Sequence, residues 1–231
     1  MNTRVAKTCF VLSLFGCAAL LRAEVIFQDD FEGDTHQWIV EQMAGGNVEI
    51  GHGRMSIFDK KGCTVWYREK LRAPVSISYD ASFRDDARLS DLNCFWMASD
   101  PKHPENLFFA EHSRDGAFAK YDSLQTYYVG YGGNNNTTTR FRRYTGTGAR
   151  PLLPEHDLHD KDVLLKAGHT YHLQLIAREG AAEFVCDGKT LFRFKDPEPL
   201  TEGWFGIRTV ESHLEIRNLR IEQLARPPSS H

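Results

Sequence analysis

Val75-Ser76-Ile77-Ser78-Tyr79-Asp80-Ala81-Ser82-Phe83 alternates apolar and polar residues without a break. Side chains along an extended strand point to opposite faces with a period of two, so this stretch buries one face and wets the other. Antiparallel sheets with one solvated face carry that pattern. Working outward, related short segments run near 47–50, 54–58, 63–69, 91–98, 124–131, 136–144, 170–177, 182–186, 190–194, 203–210 and 213–222, punctuated by Gly, Asn, Asp and Pro. Asp187-Gly188 between two of them predicts a hairpin turn of the I′ kind. No amphipathic stretch of three helical turns interrupts the series. Short strands in such number within one domain predict an all-β class, a two-sheet antiparallel β-sandwich or a barrel. The connections near 99–121 and 145–168 are long, rich in Pro, His and acidic residues, and loops of that length are usually functional or lid-like.

The N-terminus reads differently. Arg4 and Lys7 precede an uncharged apolar run from Cys9 to Leu21, and Ala23 offers a small residue at a cleavage position. That order predicts a cleavable signal peptide over 1–23, and the run is too short to span a bilayer. Leu14-Phe15-Gly16-Cys17 has a lipobox flavour, but Phe15 fits poorly and the apolar run continues past Cys17, so a lipid anchor is not expected. A single domain over 24–225 and a disordered tail over 226–231 complete the division. Export places the mature chain in the periplasm or outside the cell, with no membrane span after cleavage. Cys63, Cys94 and Cys186 then remain, an odd number, compatible with one disulfide and a thiol or with three buried thiols. The formal charge of −3 and the dispersed basic residues give no case for a nucleic-acid partner. A monomer is expected.

The opening Gln28-Asp29-Asp30-Phe31-Glu32-Gly33 with Trp38 resembles the first strand of concanavalin A-like jelly rolls, and the closing segments 184–189, 203–208 and 214–219 resemble their last strands. With Ser90-Asp91-Leu92-Asn93-Cys94-Phe95-Trp96-Met97-Ala98, Thr126-Tyr127-Tyr128-Val129-Gly130 and the run Asn136 to Tyr144, the chain resembles the bacterial domain-of-unknown-function family 6250 of the concanavalin A-like lectin/glucanase superfamily. The resemblance implies a jelly roll and a polysaccharide or oligosaccharide ligand, in particular an acidic glycan, but no established reaction. It allows a structural calcium, which no motif locates; no other cofactor is implied.

Strand parity nominates the candidate residues. From Asn136, the residues Asn136, Thr138, Arg140, Arg142 and Tyr144 share one face. Two guanidiniums and an amide there suit a carboxylate or sulfate, although a solvated face with scattered charges has the same pattern. Tyr128 on the preceding segment, or His112 in the long connection, is the candidate for proton transfer, an arginine favouring the phenolate. Asp91 and Asn93, opposite the core-facing Leu92, Cys94 and Trp96, are candidates for sugar hydroxyls. Tyr127, Trp204 and Arg208 complete the candidate binding set, the indole beside an arginine suiting sugars or anions. His156 and His159 lack a helical register and a third ligand, so no metal site is expected.

The paired-glutamate run Glu-x-Asp-x-x-Glu of retaining glucanases is absent, and Glu211, Glu215 and Glu222 have the wrong spacing. The expectation is therefore an exported carbohydrate-active protein. A polysaccharide lyase on uronate-containing glycan comes first, with Arg140, Arg142 and Asn136 neutralising the carboxylate. A non-catalytic carbohydrate-binding protein, or a glycoside hydrolase using Asp91, are the alternatives.

Overall fold

The alternating stretch 75–83 becomes a central strand. The computed structural model describes residues 23–225. The predicted signal peptide, save Ala23, and the predicted tail lie outside the described residues. In chain order the strands are β1 (Glu24–Asp29), β2 (Trp38–Gln42), β3 (Asn47–Gly51), β4 (Arg54–Phe58), β5 (Cys63–Tyr67), β6 (Leu71–Arg72), β7 (Val75–Phe83) and β8 (Leu92–Ser99). The second half supplies β9 (Gln125–Gly132), β10 (Thr138–Thr145), β11 (Asp157–Leu158), β12 (Thr170–Arg178), β13 (Ala181–Cys186), β14 (Lys189–Lys195), β15 (Glu202–Thr209) and β16 (His213–Gln223). Helical pieces among the described residues are three or four residues long.

Two antiparallel sheets form a sandwich. The first runs β14-β13-β12-β7-β16-β4-β3, and the second runs β11-β10-β9-β8-β15-β5-β2. In the first sheet β4 lies beside β16 from His213 to Ile216, and β1 takes that edge from Leu219 onward. The register of β16 against β7 shifts between Arg217 and Arg220, where the changeover occurs. The predicted hairpin joins β13 to β14, with positive φ at both Asp187 and Gly188 (50° and 75°), as a I′ turn requires.

The alternation of β7 is realised directly. Val75, Ile77, Tyr79 and Ala81 face the other sheet and are buried; on the outer face Ser78, Asp80 and Ser82 stay half-exposed, while Ser76 is buried and accepts a hydrogen bond from Gln174. Tyr79 meets Phe205 of β15 across the sandwich at 5.8 Å between ring centroids. Cys63, Cys94 and Cys186 are all buried and free, which selects three buried thiols from the two expected arrangements. Burial pushes each thiol well up, so they act as small core residues.

The second sheet departs from the wet-faced pattern. Alternate residues on β5, β8, β9 and β15 are apolar on both faces, so the outer face also needs a cover. Residues 99–121 supply it. Trp66, Phe95, Leu107, Tyr121, Leu124, Tyr128, Tyr144 and Trp204 form a second buried cluster under that connection. Phe95 stacks on Trp66 and on Tyr121, both at 5.4 Å. Among the described residues, no helix is long and apolar enough to cross a membrane.

Candidate functional site

Two cross-strand rows on that outer face set the chemistry. One row pairs Arg140 with Gly130, Gly130 with Asn93, Asn93 with Arg208, Arg208 with Thr64, and Thr64 with Glu41. The next pairs Arg142 with Tyr128, Tyr128 with Phe95, Phe95 with Gly206, and Gly206 with Trp66. Gly206 is bare because the Trp66 indole lies across it; a Cβ there would come within 2.5 Å of the ring. The covering connection seals both rows at the β5 end and leaves them open at the β10 end.

The open end is a cleft of about 410 Å³. Arg88, Arg140, Arg142 and Arg150 line it with Asp91, Tyr128, Asn134 and Asn135. Its floor is Gly130, where a Cβ would lie 3.2 Å from the Tyr128 hydroxyl and 3.5 Å from Asn93 Oδ1. That Asn93 oxygen is buried and, among the described residues, has no hydrogen-bond partner. Asp91 is clamped: Oδ1 accepts from Asn93 Nδ2 at 3.1 Å, and Oδ2 accepts from Ser90 Oγ at 2.5 Å and from Arg88 at 3.5 Å.

The four arginines are not equivalent. Arg140 grips Asp157 with Nε at 2.7 Å and a second nitrogen at 3.3 Å. Arg150 meets Asp122 at 3.2 Å, and Arg88 meets Glu211 at 3.1 Å. Arg142 gives one bond to the Arg150 carbonyl at 2.5 Å and, among the described residues, pairs with no carboxylate. Burial, with help from the neighbouring Arg140 and Arg150 charges, lowers its pKa. An arginine nonetheless stays protonated in proteins. The cleft therefore holds a half-buried cation that, among the described residues, has no carboxylate of its own.

Parity placed Arg140 and Arg142 on one face, with Tyr128 on the preceding segment, and the structure brings all three together with Asp91 and Asn93. It corrects the position of the others. Asn136 lies in the turn before β10, not on the strand, with φ of 58°. Its amide is fully engaged by Leu165, donating to the carbonyl at 2.9 Å and accepting from the N–H at 2.8 Å. His112 sits at a separate hollow beside the buried Glu41, 3.8 Å from its carboxylate. Tyr127 faces the inter-sheet core, where its hydroxyl donates to Asp196 at 2.8 Å. Trp204 and Arg208 share a face as parity required, but the covering connection buries both. Trp204 Nε1 donates to the Arg68 carbonyl, and Arg208 donates to Thr64 Oγ1 and the Gly116 carbonyl while lying over Phe118 and Tyr121. Burial also pushes the Tyr128 phenol well above its ordinary range, outweighing the nearby Arg208 cation. The phenol is the stable form at neutral pH, in contrast to the expected phenolate.

Arg88, Asn134, Asn135 and Arg150 were not legible as cleft residues. Gly132, Asn134, Asn135 and Asn136 all have positive φ, between 53° and 67°, in one tight turn. Asn and Gly tolerate that region best, and the Gly-Gly-Asn-Asn-Asn run was the available signal. Such backbone persists where surrounding structure holds it, and here Arg88 donates to Asn135 Oδ1. His156, one of the two histidines weighed as ligands, packs edge-on to Phe141 at 4.9 Å. Among the described residues no three His, Cys, Asp or Glu side chains converge to hold a metal ion.

Solved structures share the architecture. A Bacillus subtilis protein of unknown function with a galectin-like fold superposes with a TM-score of 0.70 at 18% identity, covering 88% of this chain and 98% of that one. The carbohydrate-binding module CBM66 from Bacillus subtilis gives 0.57 at 12% identity, over 81% of this chain and 96% of the other. A glycosidic hydrolase gives 0.58 at 12% identity, over 87% and 97%. No curated protein sequence matches the chain. These likenesses establish a concanavalin A-like, galectin-like jelly roll. The family described as Domain of unknown function (DUF6250) matches residues 57–219, and the chain belongs to that family.

Proposed function

We propose that this chain is an exported carbohydrate-active protein that holds an acidic glycan in the arginine-lined cleft. In this reading a uronate carboxylate docks on Arg142. The observation that carries it is the unequal pairing of the four cleft arginines: three have carboxylates of their own, and Arg142 has none among the described residues. Arg140 and Arg88, already paired, orient the walls. Asn134 and Asn135 offer amides at the rim for sugar hydroxyls. The carbohydrate-binding and glycoside-hydrolysing proteins of the same fold support the sugar half of the reading.

Affinity electrophoresis in polygalacturonate against a neutral glucan tests it. A hydrogen bond to a charged group contributes about 1.5–3 kcal/mol, so Arg142→Ala is expected to weaken uronan retention by about 10- to 150-fold. Equal retention on both gels, or an unchanged Arg142→Ala, refutes it.

Elimination is the second reading, favoured by the Tyr128 hydroxyl. It faces the cleft opposite Arg142 with no hydrogen-bond partner among the described residues, and burial keeps it protonated, so it can offer a hydrogen bond to the leaving oxygen. Unsaturated-product absorbance that disappears in Tyr128→Phe supports cutting; retention of uronan without such absorbance leaves binding. Export is tested by sequencing the N-terminus of the mature protein, expected at Glu24.

A further inference from the structure

The outer face of the other sheet carries a second constellation that the glycan reading does not use. His213 of β16 sits between a serine and an aspartate. Its Nε2 lies 2.9 Å from Ser56 Oγ on β4, and its Nδ1 lies 2.8 Å and 3.1 Å from the two oxygens of Asp86. These three residues line a pocket of about 460 Å³ with Arg54, Arg84, Phe58 and Glu215.

The fold fixes this arrangement from several sides. Glu215 is the cross-strand partner of Ser56, and His213 that of Phe58, so Ser56 and His213 are diagonal neighbours on one face. The Phe58 ring meets the imidazole edge-on at 5.4 Å. Asp86 follows β7, and the Arg84 N–H donates to the His213 carbonyl at 3.0 Å, which anchors that connection beside the imidazole. A carboxylate at Nδ1 accepts a hydrogen bond from the Nδ1–H and so leaves Nε2 as the acceptor facing the serine hydroxyl. These are the roles of nucleophile, base and orienting acid, which are recognised by geometry and not by sequence spacing.

We propose that Ser56, His213 and Asp86 form a serine-hydrolase centre for carboxylic esters. Ser56 Oγ attacks the ester carbonyl carbon while its proton passes to His213 Nε2. The carbon–oxygen bond to the alcohol breaks, and Nε2 returns the proton to the departing oxygen. Water then attacks the acyl-serine through the same nitrogen, releasing the carboxylic acid and restoring Ser56. Because β4 is paired on both sides, its backbone N–H groups are committed to the ladders. The oxyanion therefore falls to the guanidiniums of Arg54 and Arg84. Arg54 and Arg84 contact Glu215 at 3.3 Å and 3.5 Å, Arg84 also lies 3.7 Å from Asp86, and both line the pocket with N–H groups left over from those contacts.

The test is a fluorophosphonate probe read by intact mass and peptide mapping, with p-nitrophenyl acetate turnover alongside. One adduct at Ser56 is expected, absent in Ser56→Ala. General-base assistance is worth about 10²–10⁴-fold, so His213→Gln is expected to slow both readouts by at least about 100-fold. Ser82→Ala, a strand away on the same face, serves as the control and keeps wild-type labelling. No adduct, an adduct elsewhere, or turnover that Ser56→Ala leaves unchanged overturns the proposal. Uronan retention by Ser56→Ala stays at the wild-type level whichever way the labelling falls, because the two sites lie on different sheets.

Discussion

Replacing Glu41 with alanine should release the covering connection and destabilise the whole domain. The Glu41 carboxylate is 4% exposed and sits at the sealed end of the polar row. One oxygen accepts from Trp66 Nε1 at 2.9 Å and from the Tyr121 hydroxyl at 2.8 Å. The other accepts from Arg114 Nε at 3.2 Å, and Arg114 in turn holds the Leu107 carbonyl. Arg114 and Tyr121 belong to the covering segment, while Trp66 belongs to the sheet, so a single carboxylate ties one to the other. Removing one partner of a buried ion pair costs about 3–5 kcal/mol, because the remaining charge stays buried without compensation. The orphaned indole and phenol donors add to this, but not additively, since the connection can lift and expose them to water. A loss of about 4 kcal/mol is therefore expected for Glu41→Ala. Glu41→Gln keeps the shape and one acceptor, and should lose about half as much. Urea unfolding followed by tryptophan fluorescence measures the loss, and limited proteolysis between residues 99 and 121 reports lifting of the connection. A loss below about 1 kcal/mol, or a connection as resistant to protease as in the wild type, refutes the idea that this carboxylate clamps the cover. Phe118, on the same connection, walls the arginine cleft, so the variant should also weaken uronan retention.

Asn136→Ala removes two hydrogen bonds to Leu165 and forces alanine into a left-handed conformation, whereas Asn136→Gly loses only the bonds; the alanine variant should unfold at lower urea by about 1–2 kcal/mol more than the glycine one. Gly206→Ala drives a methyl into the Trp66 ring, and a loss of about 1–3 kcal/mol is expected in the same assay. Burial lowers the pKa of His156 among Phe141, Phe192 and Phe194, so the unfolded chain binds its proton more readily than the folded one. That contribution is present above the ordinary histidine range and is lost as pH falls through it, so His156→Phe should flatten the decline in melting temperature below about pH 6.5.

The fold was legible because the jelly roll writes its strands in short alternating runs. Val75–Phe83 identified its own buried face residue by residue, and Asp187-Gly188 identified its turn. The site was legible only where it lay on regular strands. Arg140 and Arg142 were grouped because parity along one strand is a geometric law, while the register that sets Tyr128 beside Arg142 had to come from the structure. Asn136 escaped because parity was extended two residues past the strand end, into a turn where it has no meaning. Trp204 and Arg208 were assigned to the correct face, but no local pattern says that residues 99–121 fold back over that face. A long-range cover of this kind depends on Glu41 meeting Arg114 and Tyr121, partners 73 and 80 positions away in sequence.

The cover also explains why the arginines gather where they do. An exposed sheet face of this breadth could bind a glycan anywhere along it, guided by aromatic platforms such as Trp66, Phe95 and Trp204. Here those aromatics are used to seat the covering connection, and they are lost as a sugar-stacking surface. In the proposed reading recognition is left to the uncovered end, where β10 is the last long strand and few apolar side chains remain. Without stacking, affinity has to come from charge and amides, which Arg142, Asn134 and Asn135 supply. Binding by charge carries a signature that stacking lacks. Added salt should weaken retention of uronan steeply, because the ions screen the half-buried Arg142 and compete for it. Retention that held constant from low to high salt would point instead to an aromatic surface, and the cleft of the described residues offers none on the scale of the buried cluster.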